Sequence, residues 1–383
     1  MNPAARQIRM FSLVLTVVLA LPLPLGPATG LYLWTSPYIA LNSLFAGNAL
    51  VAMQLLAGVV LIAAAFRARW YCRWICPVGV LCDAASKVRR SNTGRFRFPS
   101  FGMAIAAAGL AMAIAGAPLL STLDPLDIFH SFFDVFRHPS AGLLPLRISG
   151  LLLIVLVNLA VPNLWCSRLC PLGGLQDLLK SIRHLVRRKT DRAVSFSAGR
   201  RTTLGVLSGF ILGLVVRRAA AATRSSPVRP PSALAEERFK AVCIRCGNCA
   251  RACPAGIIRT SLEPSDWTGW LTPRIVFASG YCPAGCIVCG RVCPSGALRR
   301  FAQADKKSLV MGIARIERDG CLLIQNKECS SCLNACEYDA VIIRRSDADF
   351  AAWPEILAER CVGCGACAVA CPVSVISIAA LNC

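Results

Sequence analysis

The chain has 383 residues, of which 55% are apolar, and it carries 22 cysteines and a formal charge of +22. The apolar fraction is too high for an ordinary soluble protein, and the length allows two or three domains. Before residue 202 the basic residues fall almost entirely at Arg6 and Arg9, in residues 67–97 and in residues 168–201. This distribution is typical of cytoplasmic loops and argues against a nucleic-acid-binding groove.

Long uncharged segments occupy the first part of the chain, and no charged residue occurs between Met10 and Phe66. A charge at the centre of a membrane span would cost about 3 kcal/mol, so this pattern favours a bilayer over a buried helical hairpin of a soluble protein. The sequence predicts spans over residues 10–31, 45–66, 101–121 and 142–162. The positive-inside rule then puts the N-terminus and both basic loops in the cytoplasm.

An internal repeat follows the second and the fourth predicted span. The nine residues from Trp165 align without gaps with those from Tyr71, and each stretch holds a Cys-x3-Cys-Pro motif. The four cysteines of the repeat are ligands of a fifth cluster or another metal, or they are reduced thiols used for packing or redox exchange; these residues are Cys72, Cys76, Cys166 and Cys170. Two other cysteines, Cys82 and Cys383, have no partner in the pattern and are interpreted as incidental.

Residues 199–222 contain Arg200-Arg201 ahead of a short apolar run, which resembles a twin-arginine export signal placed inside the chain. The run would measure only about 22 Å as a helix, so it is predicted as a short fifth span, with a cytoplasmic amphipathic helix as the alternative. A flexible linker is predicted over residues 223–235.

Four cysteine blocks follow. The first and the last have the spacing Cys-x2-Cys-x2-Cys-x3-Cys-Pro, in which three thiolates hold one [4Fe-4S] cluster and the fourth binds another. The middle two are stretched, and Glu337 replaces the proline of the third. The sixteen thiols predict four [4Fe-4S] clusters, with the ligands Cys243, Cys246, Cys249, Cys253, Cys282, Cys286, Cys289, Cys293, Cys321, Cys329, Cys332, Cys336, Cys361, Cys364, Cys367 and Cys371.

Zinc and disulfides are the competing interpretations of these blocks. Structural zinc sites use paired Cys-x2-Cys knuckles from separate segments, and cysteines two residues apart rarely satisfy disulfide geometry. Each half of the segment that carries the four cysteine blocks is expected to be a pair of small βαβ-like units. Whether the blocks pair in sequence or nested stays open at this point.

The histidines exclude the usual haem motifs. The chain has three histidines and no Cys-x2-Cys-His sequence, so neither a c-type nor a bis-histidine b-type haem is expected. The usual haem carrier of electrons across a membrane is therefore not expected. The loop 121–140 offers groups that accept protons, unless it is simply a hydrated loop; these residues are Asp124, Asp127, His130, Asp134 and His138.

The paired Cys-x3-Cys-Pro loops resemble the membrane ferredoxin-type subunit of the quinol dehydrogenase that serves periplasmic nitrate reductase. The twin-arginine-like segment and the uneven blocks, with Cys321 seven residues before Cys329, resemble its periplasmic four-cluster partner and the methylamine-utilisation ferredoxins. The resemblance implies a natural fusion of the two subunits. The chain departs from these families in the block of Cys336, which lacks its proline, and in the absence of extra ferredoxin blocks from the membrane half.

The predicted fold is a membrane α-helical bundle of about five spans, built as a tandem two-span repeat and followed by an α+β bacterial-ferredoxin-like polyferredoxin domain. The predicted divisions are residues 1–198, 199–222, 223–235 and 236–383. We expect an inner-membrane protein that passes electrons from the quinol pool to a periplasmic redox partner, with the polyferredoxin domain in the periplasm. A maturation factor that supplies electrons for assembly of a metalloenzyme is the alternative.

Overall fold

The structure is a computed structural model, and its description covers most of the chain. The described residues are 3–21, 31–46, 55–67, 69–88, 99–133, 144–186, 196–222, 227–260, 266–278, 280–345 and 352–380. The predicted proton acceptors Asp134 and His138, the incidental Cys383 and the start of the predicted linker lie outside these residues.

The first part of the chain is helical. Its helices are α1 (Pro3–Ala20), α2 (Leu31–Trp34), α3 (Pro37–Phe45), α4 (Leu55–Phe66), α5 (Trp70–Trp74), α6 (Pro77–Val88), α7 (Gly102–Ile114), α8 (Pro125–Phe133), α9 (Leu144–Ala160), α10 (Pro171–Val186) and α11 (Phe196–Ala222). A 3-10 turn, Leu119–Leu123, precedes α8, and a π-helical turn, Trp165–Leu169, precedes α10.

The prediction of a five-span bundle is wrong. Among the described residues one helix, Gly199–Ala220, is long and apolar enough to cross a membrane. In the described parts of the runs predicted as spans over residues 10–31, 45–66, 101–121 and 142–162, the helices are shorter than the predicted spans; α4 has 12 residues and α7 has 13. At 1.5 Å per residue, a helix of this length reaches only about 20 Å, against the roughly 30 Å of a hydrocarbon core.

The end of α7 shows why the length of an apolar run does not give the length of a helix. Gly116 adopts a φ of +87°, and the N–H of Ala117 donates to the carbonyl of Met112 at 3.0 Å, which closes the helix in a glycine-based cap. Pro118 follows directly. The chain therefore leaves the helix in the middle of the run that the sequence predicted as one span.

Close backbone packing joins α7 to α11. A Cβ atom at Gly205 would lie 2.5 Å from the carbonyl oxygen of Ala104, and one at Gly209 would lie 2.3 Å from that of Ala108. Glycines four residues apart lie on the same side of a helix, so the backbones of α7 and α11 touch along a strip without side chains.

The predicted repeat is visible in the local structure of both Cys-x3-Cys-Pro loops. Arg69 and Asn163, which are equivalent in the alignment, both adopt a left-handed backbone, with φ of 53° and 58°. The proline after the second cysteine is the first residue of α6 and of α10, where its missing N–H costs no hydrogen bond. The aspartates of the two repeats, Asp83 and Asp177, each pair with an arginine at 2.5 Å.

The last part of the chain consists of short helices and strand pairs. It contains α12 (Glu236–Val242), α13 (Asn248–Ala252), α14 (Val288–Val292), α15 (Ser331–Asn334), α16 (Ala366–Ala370), β1 (Ile258–Thr260), β2 (Pro273–Ile275), β3 (Gly312–Ile316), β4 (Val341–Arg345), β5 (Ala352–Ile356) and β6 (Ile376–Ala380). All three described sheets are antiparallel pairs, β1 with β2, β3 with β6 and β4 with β5. The expected βαβ-like units, which would pair strands in parallel, are therefore wrong.

The helical part packs directly against the cysteine-rich part. The hydroxyl of Ser43 donates to the carbonyl of Ser295 at 2.8 Å, and Arg251 donates to the carbonyl of His130. Ile244 and Cys246 belong to the buried apolar core of the helical part. The two parts thus share a core, and the first cysteine block lies at their junction.

Candidate metal centres

The first cysteine group, site 1, draws on two blocks. Cys243, Cys246 and Cys249 surround the start of α13, and Cys293 at the end of α14 faces them across a small pocket that all four cysteines line. Gly247 adopts a φ of 72° immediately before α13, which allows the tight turn between the first three cysteines. Burial raises the pKa of Cys243 to about 11, and the thiolate of Cys293 is a further cause.

The second group, site 2, is formed by cysteines of the same two blocks, with the roles of the blocks reversed. Burial raises the pKa of Cys289, and the thiolates of Cys282, Cys286 and Cys253 add to the rise. The pKa of Cys282 is also raised by burial, with Cys286 and Cys253 among the further causes. Three cysteines of the second block therefore lie with the fourth cysteine of the first.

The third group, site 3, consists of Cys336, Cys361, Cys364 and Cys367, which together line a small pocket. Burial raises the pKa of Cys367 to about 12, and the thiolates of Cys364, Cys361 and Cys336 contribute. Main-chain N–H groups point at two of these sulfurs, from Ala314 to Cys361 at 3.5 Å and from Ala340 to Cys336 at 3.3 Å. Such donors stabilise thiolates that hold a cluster.

The fourth group, site 4, contains Cys321, Cys329 and Cys332. Burial raises the pKa of Cys332, and the thiolates of Cys329 and Cys321 are among the causes. Cys332 and Cys371 belong to the same apolar cluster beside packed helices α15 and α16. Cys371 is assigned to this group by analogy with Cys253, the fourth cysteine of the first block, which lies at site 2.

The pairing that the sequence left open is therefore sequential. Blocks one and two exchange their fourth cysteines, and so do blocks three and four. The two pairs meet where the N–H of Cys282 donates to the carbonyl of Cys364 at 2.9 Å. The thiolate of Cys282 is also among the causes that raise the pKa of Cys364 to about 11, after burial. The sites thus follow one another in the order 1, 2, 3, 4.

A further group, the N-terminal cysteine group, is formed by the two Cys-x3-Cys-Pro loops. Burial raises the pKa of Cys76, and the thiolates of Cys72, Cys166 and Cys170 are the next causes. The amide of Gln176 donates to the sulfur of Cys72 at 3.0 Å. The four cysteines of the two loops therefore lie together, which favours the interpretation as a shared set of ligands over that of separate thiols.

Cys82, which was interpreted as incidental, lies next to this group. It is fully buried, and its contact with Cys166 is the first cause of the raised pKa of the Cys166 thiol. No spacing signal in the sequence indicated this contact. Among the described residues, no three Cys, His, Asp or Glu side chains are close enough to hold a single metal ion.

The sequence predicted proton acceptors in a loop, but the structure buries three of them. Asp124 accepts hydrogen bonds from the hydroxyl of Ser36 at 2.6 Å and from the N–H of Leu126 at 2.8 Å, and burial raises its pKa to about 6. The other two, Asp127 and His130, follow on α8 and are also buried. The interpretation of a hydrated loop is wrong for these three residues.

Asp127 and His130 have polar atoms without partners. The Oδ1 atom of Asp127 and both ring nitrogens of His130 are buried and form no hydrogen bond with any described residue. Burial raises the pKa of Asp127 and lowers that of His130, so both side chains are held towards their neutral forms. Unpartnered buried polar atoms are rare and point to a ligand or ordered water.

Helix α8 lies between the N-terminal cysteine group and site 1. Asp124 is among the causes that raise the pKa of Cys170, and Asp127 is among those that raise the pKa of Cys246, after burial in both cases. One continuous apolar core contains both ends of this path, with the residues Tyr71, Cys76, Cys170, Leu126, Phe129 and Cys246.

The cysteine groups fit [4Fe-4S] clusters. Sites 1 and 3 enclose a pocket lined by four thiols, and the N–H groups around site 3 point at its sulfurs.

Two families of domain match the chain. One, described as a 4Fe-4S binding domain, matches residues 49–95 and 143–192 and so covers both loops of the repeat. The other, described as a 4Fe-4S dicluster domain, matches residues 242–297 and 325–375.

Relatives extend this result. The methylamine utilization ferredoxin-type protein MauM of Paracoccus denitrificans is 32% identical over 197 residues, which are 48% of this chain and 84% of that protein. The ferredoxin-type protein NapG of Haemophilus influenzae is 32% identical over 48% of this chain and 67% of that protein. The ferredoxin-type protein NapF of Escherichia coli is 32% identical over 40% of this chain and 85% of that protein. No solved structure matches.

These features define an iron-sulfur protein of the electron-transfer class, which binds [4Fe-4S] clusters through repeated cysteine blocks. Within that class the chain belongs to the ferredoxin-type protein family that includes MauM and NapG.

Proposed function

We propose that this protein passes electrons between the membrane quinone pool and a periplasmic redox partner, with one [4Fe-4S] cluster at each of sites 1 to 4 and a fifth at the N-terminal cysteine group. One-electron transfer is the chemistry that such clusters supply, while the chain sets their spacing and surroundings. The observation that carries the proposal is the unbroken succession of cysteine groups from the repeat loops to the end of the chain.

Each junction in this succession has a contact that supports it. The N-terminal cysteine group and site 1 share one apolar core, with α8 between them. Sites 1 and 2 share blocks through Cys253 and Cys293, as sites 3 and 4 do through Cys336 and Cys371. Sites 2 and 3 meet at the hydrogen bond between Cys282 and Cys364.

The polar atoms on α8 suit the proton chemistry of a quinol, which releases one proton with each electron. His130 has a lowered pKa and is therefore neutral near pH 7, so that an unpartnered ring nitrogen can accept a proton or hydrogen bond. The unpartnered Oδ1 atom of Asp127 lies one helical turn away. We assign acceptance of a quinol proton to His130; the carboxyl group of Asp127, which burial holds in its protonated form, is available for a hydrogen bond to the quinol.

Membrane attachment is proposed from exposed apolar surface. Helix α11 exposes a series of large apolar side chains along the segment that is long enough to cross a membrane, and α1 and α4 expose further ones. These exposed side chains are Leu204, Leu207, Phe210, Ile211 and Val215 on α11, Phe11 and Val14 on α1, and Leu55, Val59 and Ile62 on α4. An apolar surface of this extent fits the acyl chains of a bilayer.

The side of the membrane is proposed from the sequence around α11. Arg200 and Arg201 precede its apolar segment, as in a twin-arginine signal, so residues 236–383 would lie in the periplasm of an inner-membrane protein. A reporter that is active only in the periplasm should therefore be active when it is fused to the C-terminus. A C-terminal reporter that is active only in the cytoplasm contradicts this arrangement.

The direct test uses the full chain, purified anaerobically in detergent and loaded with iron and sulfide. A soluble quinol analogue should reduce the protein, as followed by loss of its visible absorbance. Replacing Cys72 and Cys166 by serine should abolish reduction by the quinol analogue but leave reduction of sites 1 to 4 by dithionite. A wild-type protein that dithionite reduces and quinol analogues do not would refute the quinol proposal and favour the role in metalloenzyme maturation.

A further inference from the structure

A buried lysine contacts site 2. Lys306 lies on a 3-10 turn, Ala304–Ser308, and is only 1% exposed. Its Nζ atom donates to the sulfur of Cys282 at 3.3 Å, to the carbonyl of Cys286 at 2.7 Å and to the carbonyl of Pro283. An ammonium group has three N–H donors, so every donor is directed at the loop that carries the site 2 thiols.

This ammonium has no carboxylate partner among the described residues. The ion pairs of the described structure do not include Lys306, and the neighbouring Asp305 accepts from the N–H of Ala302 instead. The other fully buried lysine, Lys240, pairs with Asp266 at 2.7 Å. Burial of an unpaired ammonium is costly, so the negative charge that balances Lys306 must come from site 2.

The other cysteine blocks have different neighbours. The buried Arg251 beside site 1 donates to carbonyl and amide oxygens. At site 3 the donors to sulfur are the main-chain N–H groups of Ala314 and Ala340. At site 4 the hydroxyl of Ser331 lies 3.9 Å from the sulfur of Cys329. Lys306 therefore distinguishes site 2 from sites 3 and 4.

We propose that Lys306 acts through its positive charge at the sulfur of Cys282. This charge raises the reduction potential of the cluster held at site 2 above the potentials of the clusters at sites 3 and 4. A positive charge and a hydrogen bond at a ligand sulfur both stabilise the more negative, reduced form of a cluster. Site 2 lies at the junction with site 3, so an electron reaching this junction is retained on the side of site 2. The inference rests on the proposed assignment of one cluster to each site.

The test is a redox titration of the loaded full chain, followed by electron paramagnetic resonance with dithionite and mediators. Lys306→Met removes the charge but keeps the length of the side chain. We expect one signal to shift to lower potential, corresponding to at least a tenfold loss in the equilibrium constant for electron uptake, or about 59 mV for one electron. Lys306→Arg should retain most of the wild-type potential. The exposed neighbour provides the matched control, and Lys307→Met should leave every potential unchanged.

The outcomes separate this inference from the rest of the account. If Lys306→Met shifts no signal, or shifts all signals equally, the inference is wrong. If that variant loses iron, the comparison moves to Lys306→Gln and Lys306→Arg, where equal potentials would overturn the role of charge. A wild-type protein without any reducible centre would instead contradict the binding of clusters. Failure with quinol analogues would leave this result intact, because the titration contains no quinol.

Discussion

The strip of glycines between α7 and α11 allows a sharp test of the packing in the helical part. Gly209→Ala would put a Cβ atom 2.3 Å from the carbonyl oxygen of Ala108 and 2.6 Å from its Cα atom. Both are backbone atoms, so the contact can be relieved only if one helix moves. Gly199 lies on the same helix with nothing within 4 Å of an added Cβ atom, and Gly199→Ala is the matched control.

Replacing glycine by alanine inside an exposed helix stabilises by about 0.5–1 kcal/mol, whereas forcing an extra carbon into a packed contact costs about 1–3 kcal/mol. Gly199→Ala should therefore stabilise the protein, and Gly209→Ala should destabilise it by about 1–2 kcal/mol. Thermal unfolding in detergent, followed by circular dichroism of the helices, measures the difference. Equal stabilisation by both substitutions would show that α7 and α11 do not touch at Gly209.

Three other substitutions test the remaining parts of the account. Cys293→Ser should disturb the iron signal of site 1 and leave that of site 2, although Cys293 belongs to the second block. Loss of the site 2 signal alone would instead show that each block holds a cluster with its own four cysteines. His130→Phe should slow reduction by a quinol analogue about a hundredfold without changing the iron reducible by dithionite, because a proton acceptor contributes on this scale; an unchanged rate would remove His130 from the reaction. Asp266→Asn should destabilise the C-terminal part by about 3 kcal/mol in denaturant unfolding, because it removes the carboxylate that pairs with the buried Lys240 at 2.7 Å. A change below 0.5 kcal/mol, about the size of a surface substitution, would contradict a buried pair.

The spacing of the cysteines was the most informative signal in the sequence, because three ligands of a cluster come from one short loop. The grouping of Cys243, Cys246 and Cys249 follows from that spacing alone. Which block supplies the fourth thiol depends on tertiary packing, so Cys293 could not be assigned to site 1 before α13 and α14 were seen together. The convergence of Cys72 and Cys166 also depends on packing, although the repeat indicated it.

The errors also have physical causes. Apolar runs were interpreted as uninterrupted helices, but Gly116 and Pro118 end α7 well before the predicted end of its span. Acidic residues between two spans suggested a hydrated loop, whereas Ser36 and a main-chain N–H satisfy Asp124 in the interior. Lys306 has no sequence signal, because its partners are brought to it by a loop some twenty residues earlier.

The most direct test of the central claim is a count of iron and acid-labile sulfide in the anaerobically purified full chain, together with its spectroscopy. Four [4Fe-4S] clusters at sites 1 to 4 predict about 16 iron and 16 sulfide per chain, and a fifth at the N-terminal cysteine group raises each to about 20. Serine at Cys72, Cys76, Cys166 and Cys170 should remove only the last increment. A protein that takes up iron without sulfide, or that shows no reducible centre, would contradict the account.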